Sequence, residues 1–105
     1  MKKIFTLAVI LLFSISSFAQ KEPKLVLNEE TNLIEATYYH DNGIISQTGS
    51  FNKEGKLEGE WLSFDEKGEK LVLAYYDNGN KVGKWIHWVD GVKKVVHYDN
   101  NVASL

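Results

Sequence analysis

Three histidines, His40, His87 and His97, and the close carboxylates Glu58, Glu60, Asp65 and Glu66 are the side chains of this 105-residue chain best suited to chemistry. Imidazole nitrogens completed by a carboxylate make a metal site. Two carboxylates held in different environments divide general acid and base work. Neither arrangement assembles on paper. Side chains alternate faces along a strand, and the register derived below sends His87 and His97 to opposite faces, with His40 in another hairpin. The acids fall at turns and on strand faces, where solvated carboxylates are ordinary. The chain has no cysteine, which removes a thiol nucleophile and disulfide staples alike. It also lacks a Gly-x-Ser-x-Gly elbow, and its glycines stand singly instead of forming a phosphate loop. Asp-Asn-Gly turns occur without the spaced acids and distal glutamate of a calcium loop. The sequence therefore predicts a protein that is not an enzyme, with no metal and no cofactor.

The elements that must position any site are set by a repeat. Gly59-Glu60-Trp61-Leu62-Ser63-Phe64 and Gly83-Lys84-Trp85-Ile86-His87-Trp88 share the pattern Gly-x-Trp-x-x-aromatic, 24 residues apart. A period of that size marks one supersecondary unit stacked on copies of itself. Turn glycines fall at Gly43, Gly55, Gly68, Gly79 and Gly91, in steps of 12, 13, 11 and 12 residues. Asn-Gly and Asp-Gly supply the positive φ of hairpin turns. The intervening segments are rich in Val, Ile, Leu, Thr, Tyr and Trp, which suit strands. The reading is strands near 25–28, 33–40, 44–52, 57–64, 70–76, 81–89 and 92–98. The fold class is all-β, an antiparallel meander of repeated β-hairpins forming a single-layer curled sheet.

Two-residue loops at Asn78-Gly79 and Asp90-Gly91 fix a register. Ala74 is then opposite Gly83, Val72 opposite Trp85, Trp85 opposite Val96 and Gly83 opposite Tyr98. Upstream, a loop at Asn42-Gly43 sets Ala36 opposite Gly49. One face carries Val72, Ala74, Tyr76, Gly83, Trp85, His87, Val96 and Tyr98. The other carries Leu71, Leu73, Tyr75, Val82, Ile86, Trp88 and Val95, and as the more apolar of the two it is expected to lie inside the curl. Tyr76, Trp85, His87 and Tyr98 then become the candidate interaction face. Gly59 and Gly83 are expected to leave room for a neighbouring ring over the backbone.

The unit from Tyr76 to Trp88 resembles the bacterial variant of the MORN repeat, aromatic-x-x-Gly-x-x-x-Gly-x-Trp-x-x-aromatic. The stretch from Phe51 to Phe64 matches it with one extra residue, through Gly55, Gly59 and Trp61. Tyr38 to Gly43 resembles the aromatic-turn part, and Tyr98 to Asn101 a final half unit. The resemblance implies stacked β-hairpins with Gly43, Gly55, Gly59, Trp61, Phe64, Gly68, Gly79, Gly83, Trp88 and Gly91 as structural repeat residues. Short exported proteins of this kind occur in Gram-negative bacteria, and some relatives carry an antitoxin label. Eukaryotic MORN proteins associate with lipid surfaces and scaffolding, and end each unit in Gly-x-Gly where this chain has Gly-x-Trp.

Residues 1–19 have the layout of a cleaved secretory signal peptide. Lys2 and Lys3 precede an apolar run from Ile4 to Phe13, and Ser17-Phe18-Ala19 places small residues at the cut before Gln20. The apolar stretch is shorter than a spanning helix requires. The organisation is thus a leader over 1–19, a segment over 20–32 with a first strand, and the repeat domain over 33–105. Without the leader, 10 lysines face 14 acids and there is no arginine, which argues against nucleic acid. The functional expectation is an exported, periplasmic or extracellular, non-catalytic module that binds a protein, peptide or glycan partner. The alternatives are a peripheral contact with a lipid or envelope surface and an antitoxin-like role. Open edge strands also favour self-association.

Overall fold

The computed structural model describes residues 22–104; the expected leader lies outside the described residues. The chain forms β1 (Lys24–Asn28), β2 (Leu33–Tyr39), β3 (Ile45–Phe51), β4 (Leu57–Phe64), β5 (Lys70–Asp77), β6 (Asn80–Lys81), β7 (Gly83–Val89), β8 (Val92–Asp99) and β9 (Val102–Ser104). They make one antiparallel sheet in chain order, with the short β6 paired to β5. The meander agrees with the sequence. The curl does not: the sheet is open, and β1 and β9 are its two edges. The first strand belongs to the same sheet, with Leu25 opposite Ala36 and Leu27 opposite Ile34.

Two loop types occur, one in the hairpins from Gly43 to Gly68 and the other in those from Asn78 onward. At Asn78-Gly79, Asp90-Gly91 and Asn100-Asn101 both residues have positive φ, between 50° and 87°, the backbone of a two-residue hairpin turn. Around Gly43, Gly55 and Gly68 only the glycine is left-handed. There the loop has three residues: the Gly43 N–H donates to the His40 carbonyl at 2.9 Å, and the His40 N–H to the Ile44 carbonyl at 2.7 Å. The same pair of bonds recurs at Asn52 with Lys56 and Gly55, and at Asp65 with Glu69 and Gly68. Asn42-Gly43 is therefore not a two-residue loop. A bulge between Tyr38 and Tyr39 compensates, so Ala36 still meets Gly49. Loops also stack along the sheet. The Gly79 N–H donates to the Leu57 carbonyl and the Asn101 N–H to the Lys81 carbonyl, while Asn52 Nδ2 donates to Asn78 Oδ1 at 2.8 Å.

Trp85 meets Val96 and Gly83 meets Tyr98 as the sequence predicts, but Val72 meets His87 and not Trp85. Val82 and Gly83 are accommodated as extra residues, with Gly83 at φ +76° and the Val82 N–H on the Tyr75 carbonyl at 3.0 Å. A two-residue slip leaves each side chain on its own face. Gly59 holds the same place before Trp61, at φ +78° with open space where a Cβ would stand. Gly59 thus supplies left-handed backbone and not room for a ring, whereas at Gly83, also left-handed, an added Cβ would touch the Tyr75 side chain at an ordinary contact distance of 3.7 Å.

The room comes from other residues. Trp61 lies over Gly49, where an added Cβ would overlap the indole, and its Nε1–H donates to the Ser50 carbonyl at 3.1 Å. Trp85 repeats this on the next unit: its register places it by Ala74, and its Nε1–H donates to the Tyr75 carbonyl at 3.1 Å. Each indole also receives an edge-on ring from the strand before it, Phe51 on Trp61 at 5.2 Å and Tyr76 on Trp85 at 5.3 Å. Trp61 and Trp85 are 4% and 6% exposed, and with Ala36 and Ala74 they form the core. The core is consequently on the face of Val72, Tyr76, Val96 and Tyr98, the reverse of the sequence expectation. Counting apolar residues favoured the wrong side, because a flat indole over a small residue closes more surface than a row of Leu and Val.

Gly49→Ala should destabilise the sheet by about 1–3 kcal/mol through overpacking against Trp61. In Trp61→Ala the added methyl should cost far less, so the double variant will be less destabilised than the sum of the two. Gly59→Ala should cost about 1–2 kcal/mol through backbone strain alone, with no coupling to Trp61. Urea denaturation of the four variants checks this, and additive energies for Gly49 and Trp61 would contradict the packing argument.

Candidate functional site

The aromatic set expected to form an interaction platform is part of the closed face. Trp85 is buried, while Tyr76, His87 and Tyr98 are half-buried around it. Tyr98 packs on Trp85 at 4.9 Å between ring centroids, and His87 lies tilted against it at 6.2 Å. The Lys81 ammonium covers the cluster, 5.1 Å from the Trp85 centroid and 5.2 Å from that of Tyr98. Burial, reinforced by Tyr98, pushes the Tyr76 phenol above its ordinary pKa. The hydroxyl stays neutral in the fold. Tyr76, Trp85, His87 and Tyr98 hold the sheet together, and a ligand cannot lie on Trp85 without displacing its neighbours.

The opposite face presents different rings. Phe64 and Trp88 occupy the final aromatic position of the two repeats, and Tyr39 the matching place in β2. Strand alternation from Tyr38, Ser63 and Ile86 puts all three on the face away from the indole core. All three are half-buried. They stand at the end of the sheet where the three-residue loops at Gly43 and Gly68 and the turn at Asp90-Gly91 gather. Shallow grooves run across this end. One of about 750 Å³ is lined by Asp65, Glu69, Lys70, Leu71, Trp88 and the Asp90-Gly91 turn. Beside it, Ile44, Ile45, Thr48 and Phe64 line an apolar depression of about 330 Å³.

Local sequence explains why the groove exists. The bulge between Ser63 and Phe64 leaves Leu71 without a direct partner on β4, so its side chain stays 40% exposed. The Lys70 ammonium reaches over Trp88, 5.9 Å from the ring centroid. Asp65 Oδ1 accepts the backbone N–H groups of Lys67 and Glu69, each at 2.9 Å. The Glu69 N–H, more than any other neighbour, holds the Asp65 carboxyl below its ordinary pKa. Three carboxylates against one lysine make the groove net negative. Sequence reasoning treated Phe64 and Trp88 as repeat residues only. Their shared repeat position was the available signal; their face relative to the core was not.

The remaining chemical candidates are dispersed. His87 is opposite Lys94 and His97 opposite Lys84, on opposite faces, and His40 Nε2 donates to the Phe64 carbonyl at 2.9 Å. Among the described residues no three His, Asp or Glu side chains are grouped to hold a metal ion. Glu58 accepts the Asn78 N–H at 2.8 Å and so pins a turn. Glu60 accepts the Tyr75 hydroxyl at 3.5 Å. These acids, like Asp65, are engaged in holding strands and loops. Comparison with protein-family models, with curated proteins and with solved structures yields no match to this chain.

Because the folded state lowers the Asp65 pKa, it contributes stability above the ordinary aspartate value that is lost as pH falls through the folded-state value. Asn keeps the acceptor oxygen without titrating. Thermal melts between about pH 5 and pH 2 should therefore fall less steeply for Asp65→Asn than for the parent chain. Parallel slopes would show that the Asp65 turn does not feel this linkage.

Proposed function

We propose that this chain is an exported, non-catalytic β-repeat interaction module of the MORN type, and that it binds its partner in the cell envelope through the face opposite the tryptophan core. The observation that carries the reading is the groove around Trp88. A half-buried indole stands there beside Leu71, with Lys70, Asp65, Glu69 and Asp90 around it. An indole face supplies a flat apolar surface for a sugar ring or an apolar side chain. The surrounding carboxylates and ammonium provide acceptors and donors for hydroxyls or for a peptide backbone.

Charge narrows the partner. A net negative lining repels phosphate headgroups and acidic polymers, and favours a neutral glycan or a peptide bearing lysine or arginine. It thereby sets the lipid-surface alternative behind the protein, peptide or glycan reading. The MORN assignment draws on the Gly-x-Trp units, which the fold uses twice in the same way: a left-handed glycine, then an indole over a small residue. Export draws on the leader-like segment over 1–19.

Trp88→Ala should abolish capture of a partner from envelope extract while the thermal midpoint stays within a few degrees of the parent. Glu69→Gln and Lys70→Gln should weaken capture without abolishing it. A chain that captures the same material with and without Trp88 would refute the groove as the binding surface.

A further inference from the structure

The two edges of the sheet are unequal. β9 has three residues, Val102–Ser104, whereas β1 has five, with the sequence Lys-Leu-Val-Leu-Asn. On β1 three successive apolar side chains are open to solvent, Leu25 at 59%, Val26 at 46% and Leu27 at 57%. An edge strand that long and that apolar is a template for another strand, and the usual protections are proline, inward charge or a covering loop. Here the single charge within the strand is Lys24 at its end.

The repeat shows what is incomplete at β1. In the later units a tryptophan stands against a small residue of the preceding strand, Trp61 over Gly49 and Trp85 by Ala74. In β2 the matching position is Ala36, and its partner on β1 is Leu25. The order of large and small is inverted, so the bulk sits on the outer strand, and no strand among the described residues lies beyond it. Leu25 and Leu27 share the face of the core residue Ala36, and among the described residues nothing covers their outer flanks.

We propose that β1 pairs antiparallel with β1 of a second copy of this chain, forming a two-fold dimer with a continuous sheet. Centring the axis on Val26 overlaps all five residues of each strand, whereas a slip of two leaves only three pairs. That register sets Leu25 against Leu27 of the other copy and Lys24 against Asn28, with no like charges opposed within the strand. Each copy then covers the exposed leucines of the other on the core side of the sheet. Pairing β1 with β9 would instead repeat head to tail and build a filament. The three-residue β9 provides much less ladder for that arrangement. A contact of one short strand per chain is smaller than a permanent dimer interface, so the association is reversible and depends on concentration.

The native chain has no cysteine, which makes a single introduced thiol a clean reporter. Residues directly opposite in an antiparallel pair have Cα atoms about 4.5–5.5 Å apart, within the span of a disulfide. The full chain carrying Val26→Cys should oxidise to a covalent dimer, while Val102→Cys stays monomeric. Sedimentation velocity of the unmodified chain should show a monomer–dimer equilibrium, weakened at least tenfold by Leu27→Lys. A monomer at every concentration would overturn the proposal. Cross-linking that appears only when the Val26→Cys and Val102→Cys chains are mixed would overturn it in favour of the head-to-tail filament. The sedimentation result stands independently of how the cysteine variants fold.

Discussion

Everything in this sheet depends on how a tryptophan from one strand closes over a small residue of the strand before it. A single-layer sheet has no second layer to bury its apolar face, and a chain of this size without cysteine has no disulfide to compensate. Trp61 and Trp85 solve this by lying flat on Gly49 and beside Ala74, each tethered by its indole N–H to the next backbone carbonyl. The tether matters because a buried indole N–H without an acceptor is costly. Packing and hydrogen bonding therefore specify the same ring orientation, and one unit is locked to the next.

The glycines follow from that lock. Bringing an indole into this position requires two more residues on its strand than the partner strand can pair, and the excess is absorbed just upstream in left-handed backbone at Gly59 and Gly83. The shift is even, so alternation survives it. Turns then stack on turns, through N–H to carbonyl bonds that join the Asn78-Gly79 and Asn100-Asn101 loops to the preceding units. The polar loop ends are thereby part of the repeat interface. Glu58 and Asp65, which look like catalytic carboxylates in the sequence, are committed to holding these loops.

The proposed binding rests on the surfaces that this construction leaves open. The tryptophan face is occupied by its own rings and by Lys81. The other face keeps Tyr39, Phe64 and Trp88 at the loop end of successive hairpins, where bulges expose Leu71 and shape grooves. The edges differ in length and polarity, which gives the sheet one strongly apolar border at β1. The proposed interaction module draws on this distribution of surface. Binding at the groove and pairing at the edge use different residues and are compatible in one molecule.

The sequence by itself determined the all-β class, the meander, the strand positions and most of the pairing, because turn residues with positive φ and period-two alternation are local properties. Ala36 against Gly49 and Trp85 against Val96 were both readable in this way. Which face is buried was not readable, and the candidate site moved with it from Trp85 to the other side of the sheet. Burial depends on whether a ring finds a small neighbour on the adjacent strand, and Gly49 is 12 residues before Trp61. The two-residue slip at Gly83, the three-residue loop at Gly43 and the open form of the sheet were likewise decided by tertiary structure. Each depends on strands pairing in three dimensions, where the backbone must satisfy its hydrogen bonds and the indoles their volume together.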